Sequence, residues 1–173
     1  MNGLSPIAGG VLVDGSAGWT VRGLGDFDGD GKSDILWQHA NGTTAVWLMN
    51  GLNPIGGGVL LDGSAGWTLR GLGDFNGDGK SDIVWQHTNG TTMLWLMDGL
   101  KPAAGGGLLE GSLGWAVRQL GDFNSDGKSD IVWQHANGTT MLWLMNGLSV
   151  TAGGGLAVLG NGWEPGLVDS AIN

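Results

Sequence analysis

Tryptophan recurs at a fixed interval in this chain: Trp19, Trp67, Trp115 and Trp163 stand 48 residues apart, as do Trp37, Trp85 and Trp133, and Trp47, Trp95 and Trp143. A strict internal period constrains the fold more than composition does, because each repeat must be one supersecondary unit that buries its apolar face against the next copy. Met1-Asn2-Gly3-Leu4 is already in register with Met49-Asn50-Gly51-Leu52, so the sequence reads as opening inside a repeat. Within the first full period four β-like segments, Gly18 to Leu24, Asp34 to His39, Thr43 to Met49 and Ile55 to Leu61, are separated by turn chemistry. Asn41-Gly42, between the second and third, is a strong two-residue hairpin signal because both residues tolerate positive φ.

A four-stranded antiparallel unit repeated at about 40 to 50 residues reads as a propeller blade. The expected fold is an all-β propeller in a single domain, 1–173, with three full blades of 48 residues at about 15–62, 63–110 and 111–158. Orphan strands are expected at 1–14 and 159–173, the latter carrying Pro165, which cannot donate to a strand ladder. The 37 glycines argue against helix, since each costs about 1 kcal/mol relative to Ala in a helix interior. Closed propellers have about four to eight blades, so three blades leave open edges. The simplest closure is a homo-oligomer, a dimer of six blades; a fragment of a longer array is the competing explanation.

A nine-residue stretch occurs once per repeat, at 26–34, 74–82 and 122–130. Oxygen-bearing side chains stand at its first, third, fifth and ninth positions, with glycine sixth, where a tight turn needs positive φ. Hard Ca²⁺ takes about six to eight oxygen ligands, and carboxylates at alternate positions of a curled loop converge on one ion, with a backbone carbonyl from the seventh position as a further ligand. The expected ligands are Asp26, Asp28, Asp30, the Lys32 carbonyl and Asp34; Asp74, Asn76, Asp78, the Lys80 carbonyl and Asp82; and Asp122, Asn124, Asp126, the Lys128 carbonyl and Asp130. One Ca²⁺ per loop gives three per chain. Plain acidic turns also use Asp, Asn and Gly, but do not require this alternate spacing in three copies. The loop is shorter than the helix-flanked twelve-residue type, so an EF-hand is not expected.

These loops account for much of the charge. The formal net charge is -9, and of 16 acidic residues four lie in the first loop and three in each of the others. Only seven Lys and Arg are present, scattered along the chain, so no basic stripe exists for a nucleic-acid backbone. No apolar run approaches the ~20 residues of a membrane helix, and neither membrane insertion nor a signal peptide is expected. No cysteine is present, so there is no disulfide framework or thiol chemistry.

Gly25-Asp-Phe-Asp-Gly-Asp-Gly-Lys-Ser-Asp-Ile35 and its two copies resemble the FG-GAP/VCBS repeat, the blade unit of integrin α-subunit propellers and of many secreted bacterial proteins. The resemblance covers nearly the whole chain. It implies that the loop joins the inner strand to the second strand and binds calcium, that the protein works outside the cell or on its surface, and that its role lies between adhesion and carbohydrate binding. Trp-rich bacterial relatives include seven-bladed lectins with sugar sites between blades. After the second strand this chain has Trp37-Gln-His-Ala-Asn-Gly42 in place of the integrin Gly-Ala-Pro.

In an up-and-down blade the calcium loops mark one face of the propeller. The opposite face gathers Trp19, Gln38, His39 and Asn41, with Trp67, Gln86, His87 and Asn89, and Trp115, Gln134, His135 and Asn137. An aromatic surface beside amide, imidazole and hydroxyl groups suits a sugar, so these residues are the expected glycan contacts. Trp37, Trp47 and their copies read mainly as filling between blades. Asn41-Gly-Thr43 also matches a glycosylation acceptor, which the hairpin explains more economically. No nucleophile or paired acidic cleft accompanies the histidines, so no enzymatic activity is expected. A multivalent lectin and an adhesion or assembly module are the two remaining classes.

Overall fold

The computed structural model describes residues 10, 12, 17–63, 66–111 and 114–156. Among these residues twelve strands make three four-stranded antiparallel sheets. The first holds β1 (Trp19–Gly25), β2 (Asp34–His39), β3 (Thr44–Asn50) and β4 (Asn53–Leu61); the second, β5 (Trp67–Gly73), β6 (Asp82–His87), β7 (Thr92–Asp98) and β8 (Lys101–Leu109); the third, β9 (Trp115–Gly121), β10 (Asp130–His135), β11 (Thr140–Asn146) and β12 (Ser149–Leu156). Neighbours in sequence are neighbours in space throughout, as the period predicts. The expected orphan strands at 1–14 and 159–173 lie outside the described residues, apart from Gly10 and Leu12.

Both faces of each blade are apolar, and the middle blade is sandwiched between the other two. Strand side chains alternate between faces, so Ile35, Trp37, Trp47 and Met49 share one face of blade 1 while Leu36 and Val46 share the other. The aliphatic face of one blade packs on the tryptophan face of the next. Phe27, Leu36 and Val46 form a core with Ile83, Trp85 and Met97, and Phe75, Val84 and Leu94 form its copy with Ile131, Trp133 and Met145. Complete burial of such side chains contributes roughly 1.5–3 kcal/mol each. The inner strands meet across the blades, β1 beside β5 and β5 beside β9.

Main-chain hydrogen bonds reinforce each junction. Ser81 N–H donates to the Asp26 carbonyl at 2.6 Å and Gly99 N–H to the Phe27 carbonyl at 2.8 Å. Ser129 repeats the first onto Asp74 at 2.6 Å, and Gly147 the second onto Phe75 at 2.7 Å. The first two nine-residue loops therefore do more than turn the chain, for each also carries the next blade.

The connections differ from expectation at one point. Asn41-Gly42 is not a two-residue hairpin: β2 ends at His39 and β3 begins at Thr44, with Gly42 N–H donating to the His39 carbonyl at 2.8 Å. Only the glycine has positive φ, at 93°. Asn41 instead accepts the Thr43 N–H on its Oδ1 at 2.9 Å, an Asx turn that satisfies the loop from its side chain. The true two-residue hairpin is Gly51-Leu52, whose glycine, at φ 64°, stands where a type II′ turn requires it.

Candidate functional site

Each nine-residue loop curls around its first aspartate. Asp26 accepts Gly29 N–H on Oδ1 at 2.7 Å and Gly31 N–H on Oδ2 at 2.7 Å; Asp74 does the same for Gly77 at 2.6 Å and Gly79 at 2.8 Å. Positive φ at the sixth position is present in all three copies, at 82°, 82° and 81° for Gly31, Gly79 and Gly127. The fourth position needs it as well, at 80° for Gly29, 79° for Gly77 and 61° for Ser125.

The ninth aspartate has a second task that its spacing does not reveal. Asp34 is buried, accepting Phe27 N–H on Oδ2 and Met49 N–H on Oδ1, both at 2.8 Å. Asp82 and Asp130 repeat both bonds, onto Phe75 and Met97 and onto Phe123 and Met145, at 2.8 and 2.9 Å in each case. One carboxylate thus staples the loop to the third strand of its blade. Burial pushes the Asp82 carboxyl up to about 6 against the bonds from Phe75 and Met97, with the nearby charges of Asp78 and Asp74 adding to the rise. Burial likewise raises Asp34, and Asp28 and Asp26 push the same way. A cation there would favour the ionised form.

The first loop passes a simple geometric test for that cation. Oxygens of Asp26, Asp28 and Asp34 all lie within 4.8 Å of one another, and two oxygens at ~2.4 Å from one Ca²⁺ can be at most about 4.8 Å apart. The fifth aspartate is turned aside, with Asp30 paired to Lys32 and drawn below the usual carboxylate range by that lysine. In the other loops Asp78 and Asp126 accept Asn76 and Asn124 side-chain N–H at 3.0 and 3.1 Å, and Lys80 pairs with Asp98. Lys32 and Lys80 offer their ammonium groups here and Lys128 reaches Asp126 at 3.9 Å, while the carbonyls of these lysines belong to the expected ligand sets.

At the far end of each blade, the expected glycan residues are brought together, but each also has a structural partner. Trp19 packs on His39, Trp67 on His87 and Trp115 on His135, with ring centroids 5.1 Å apart and ring planes inclined at about 60° in every blade. The Nδ1 of His39, His87 and His135 accepts the N–H of Asn41, Asn89 and Asn137 at 3.2 Å. Asn89 and Asn137 cap Thr91 and Thr139 at 2.9 and 3.0 Å. Gln86, buried, donates its Nε2 to the Trp115 carbonyl of the next blade at 2.8 Å and to Thr92 Oγ1 at 3.2 Å. Gln134, half-buried, is its copy at the end of β10. Trp85 and Trp133 fill the junctions, each T-shaped to a second tryptophan, Trp95 or Trp143.

Two open pockets lie at the junctions on this side. One, of about 310 Å³, is lined by Arg22 and Gln38 of blade 1 and by Thr68, Leu69, Arg70 and Gly71 of blade 2. The other, of about 280 Å³, is lined by Arg70, Gln86, His87 and Thr88 of blade 2 and by Trp115 and its neighbours in blade 3. The arginines are the residues that sequence reasoning missed. Arg22, Arg70 and Arg118 each occupy a β-bulge in an inner strand, where the pairing skips one residue and a side chain is re-aimed. Arg22 Nε donates to Gln38 Oε1 at 2.9 Å. Their 48-residue spacing was the available signal, three of only seven basic residues repeating in register.

The FG-GAP-like repeat family matches this chain twice, over residues 26–85 and 74–133, each match running from one acidic loop to the junction tryptophan of the following blade. No curated protein and no solved structure matches it. The two matches span more than half of the 173 residues and coincide with the repeating unit of sheet, loop and junction; the repeats and blade-like sheets suggest a propeller-type binding or adhesion module, and the chain belongs to the FG-GAP-like repeat family.

Proposed function

We propose that this module is calcium-stabilised and binds carbohydrate, with one Ca²⁺ held by each acidic loop and glycans held in the junction pockets at the opposite end of the blades. Asp26, Asp28 and Asp34, with their copies, would hold the ion. Its chemistry is electrostatic: it offsets the mutual repulsion of clustered carboxylates and fixes the loop that carries the next blade. No bond-making step is involved.

The observation that carries the glycan reading is the pocket between blades 2 and 3. It presents an indole (Trp115), an imidazole (His87), an amide (Gln86) and a guanidinium (Arg70) within one open cleft. A sugar ring offers a CH face to stack on an aromatic and hydroxyls that both donate and accept, which this set matches. Arg70 lines both junction pockets, so neighbouring sites share a residue and sit one blade apart. Several weak sites of this kind give avidity, roughly 10²-fold or more on clustered ligands. On this reading the module works outside the cell or at its surface, where such ligands are displayed.

A glycan array probed in millimolar Ca²⁺ and again in EDTA tests both halves. Binding should require calcium, and Arg70→Ala, an exposed position, should lower binding to the responding glycan at least tenfold with the melting temperature unchanged. A wild-type chain that binds no glycan in calcium would sink the carbohydrate reading and leave adhesion to protein ahead. Calcium-independent melting would sink the metal reading alone.

A further inference from the structure

We infer that the two outer blades form a head-to-tail seam with a second copy of the chain, closing a ring of six blades, and this is independent of the glycan reading. Each internal junction repeats the same contacts, and at the ends of the array the matching halves of those contacts are open. Phe27 and Phe75, under the following blade, are 0% exposed, whereas Phe123, their copy in blade 3, is 51% exposed. Leu36 and Val84, and Val46 and Leu94, are all fully buried, while Val132 and Leu142 at the same positions are only half-buried.

Blade 1 shows the complementary deficit. Val117 is 6% exposed against blade 2, but Val21 is 52% exposed. Trp19, Trp37, Ala45 and Trp47 line an open apolar pocket of about 310 Å³ together with Leu12 and Ala17, on the face that blades 2 and 3 cover with a neighbour. The buried Nε1 of Trp37 finds no acceptor among the described residues, but neither do those of Trp85 and Trp133 inside complete junctions. The orphan N–H is therefore a property of the junction, and it marks no small-molecule site in this pocket.

The fine fit also repeats. Leu100 and Leu148 each lie over a glycine of the preceding blade's outer strand, Gly58 and Gly106, where an added Cβ would fall 3.6 and 3.4 Å from the leucine. Their copies are Leu52, 46% exposed, and Gly154, with nothing within 4 Å. A Cβ at Gly25 or Gly73 would stand 2.4 Å from the hydroxyl of Ser81 or Ser129; Gly121 keeps the glycine, and Ser33 at the other end keeps the serine. By the same rule the Asp122 and Phe123 carbonyls await the N–H groups of Ser33 and Gly51. One position departs: Gln119 stands where Gly23 and Gly71 admit Leu72 and Leu120, so Leu24 must turn its side chain at this seam.

Such a contact joins unlike surfaces, so it either closes a ring or runs into a filament. For the three blades of these 173 residues taken by themselves, two copies are the one multiple within the usual range of about four to eight blades. The open faces are therefore filled by one partner molecule, which supplies both missing halves.

Sedimentation velocity at about 10 µM in millimolar Ca²⁺ should give twice the 17.7 kDa chain mass; a wild-type monomer overturns the proposal. Phe123→Asp and Leu52→Asp alter side chains already half-exposed in the single chain, so each should yield a folded monomer with an unchanged strand spectrum. A dimer that survives both overturns the seam. Mixing the two variants restores one native seam, so the mixture should sediment above either alone, and failure to do so overturns the head-to-tail order.

Discussion

The two ends of each blade repeat with equal fidelity in the sequence and are built on different principles. At the loop end the repeating residues are locked from all sides: Asp82 is 0% exposed with both oxygens on backbone N–H groups, and the loop's own carbonyls accept bonds from the next blade. At the turn end the histidine and asparagine are partly or fully exposed, bond within their own turn and stand beside open pockets, while Gln86, though buried, reaches across to the next blade. Strict repetition of the buried ninth aspartate is therefore explained by folding alone, and repetition at the turn end only partly so. Asn89 and Gln86 have structural partners, whereas the bulged arginines border pockets in both junctions.

The largest effect expected from breaking the loop end is calcium removal. Each ion bound at about 100-fold above its dissociation constant would contribute ~2.7 kcal/mol, so three sites together would contribute up to about 8 kcal/mol. A melt in EDTA should fall well below one in millimolar Ca²⁺, and coincident melts would show that the loops hold no ion. Asp82→Ala comes next. It orphans the buried N–H groups of Phe75 and Met97, at about 1–3 kcal/mol each, and this cost should persist in EDTA, where a substitution that only removed a ligand would become silent.

How much of this was legible in the sequence follows from what repeats and what does not. The period, the four strands and their order needed only tryptophan spacing and turn residues, and all three sheets have that order. The clustering of Asp26, Asp28 and Asp34 was legible because ligand spacing is a local property. The backbone duties of Asp34 were not, since its partner Met49 lies a strand and a turn away. Gln86 stands among the expected glycan contacts, but its amide reaches the Trp115 carbonyl across a junction that exists only once blades stack. The Asn41 turn was misjudged because Asn-Gly fits either positive φ at both residues or a side-chain cap, and only the backbone distinguishes them. Arg22 was passed over because a bulge is a fault in pairing and leaves no mark in residue type.

The turn end should respond far less to the corresponding truncation. Asn89→Ala removes the cap on the Thr91 N–H, but that N–H is near solvent, so the cost should be only about 0.5–1 kcal/mol. Chemical denaturation of Asp82→Ala beside Asn89→Ala, at equal calcium, measures the contrast directly. Equal losses would mean that the two ends are locked alike and that the turn-end residues need no explanation beyond the fold.

The smallest effect lies inside the loop end and has the opposite sign. The third loop is the one copy in which the fourth position is not glycine: Ser125 holds φ at 61°, where Gly29 and Gly77 stand at 80° and 79°. A side chain there crowds the following carbonyl, at roughly 1–2 kcal/mol, and part of the gain from removing it is returned through the greater freedom of glycine in the unfolded chain, about 0.5–1 kcal/mol. Ser125→Gly should therefore raise stability by at most about 1 kcal/mol, equivalent to a few degrees in melting temperature for a chain of this size. The reciprocal change, Gly77→Ser, should lower stability by a similar amount through its positive φ of 79°, because its Cβ would meet the Lys128 side chain of the next blade only at an ordinary contact of 3.5 Å. Denaturant midpoints read both. If Ser125→Gly lowers the midpoint, the serine is supplying a contact that offsets its strained backbone, and the third loop is not simply a strained copy of the first two.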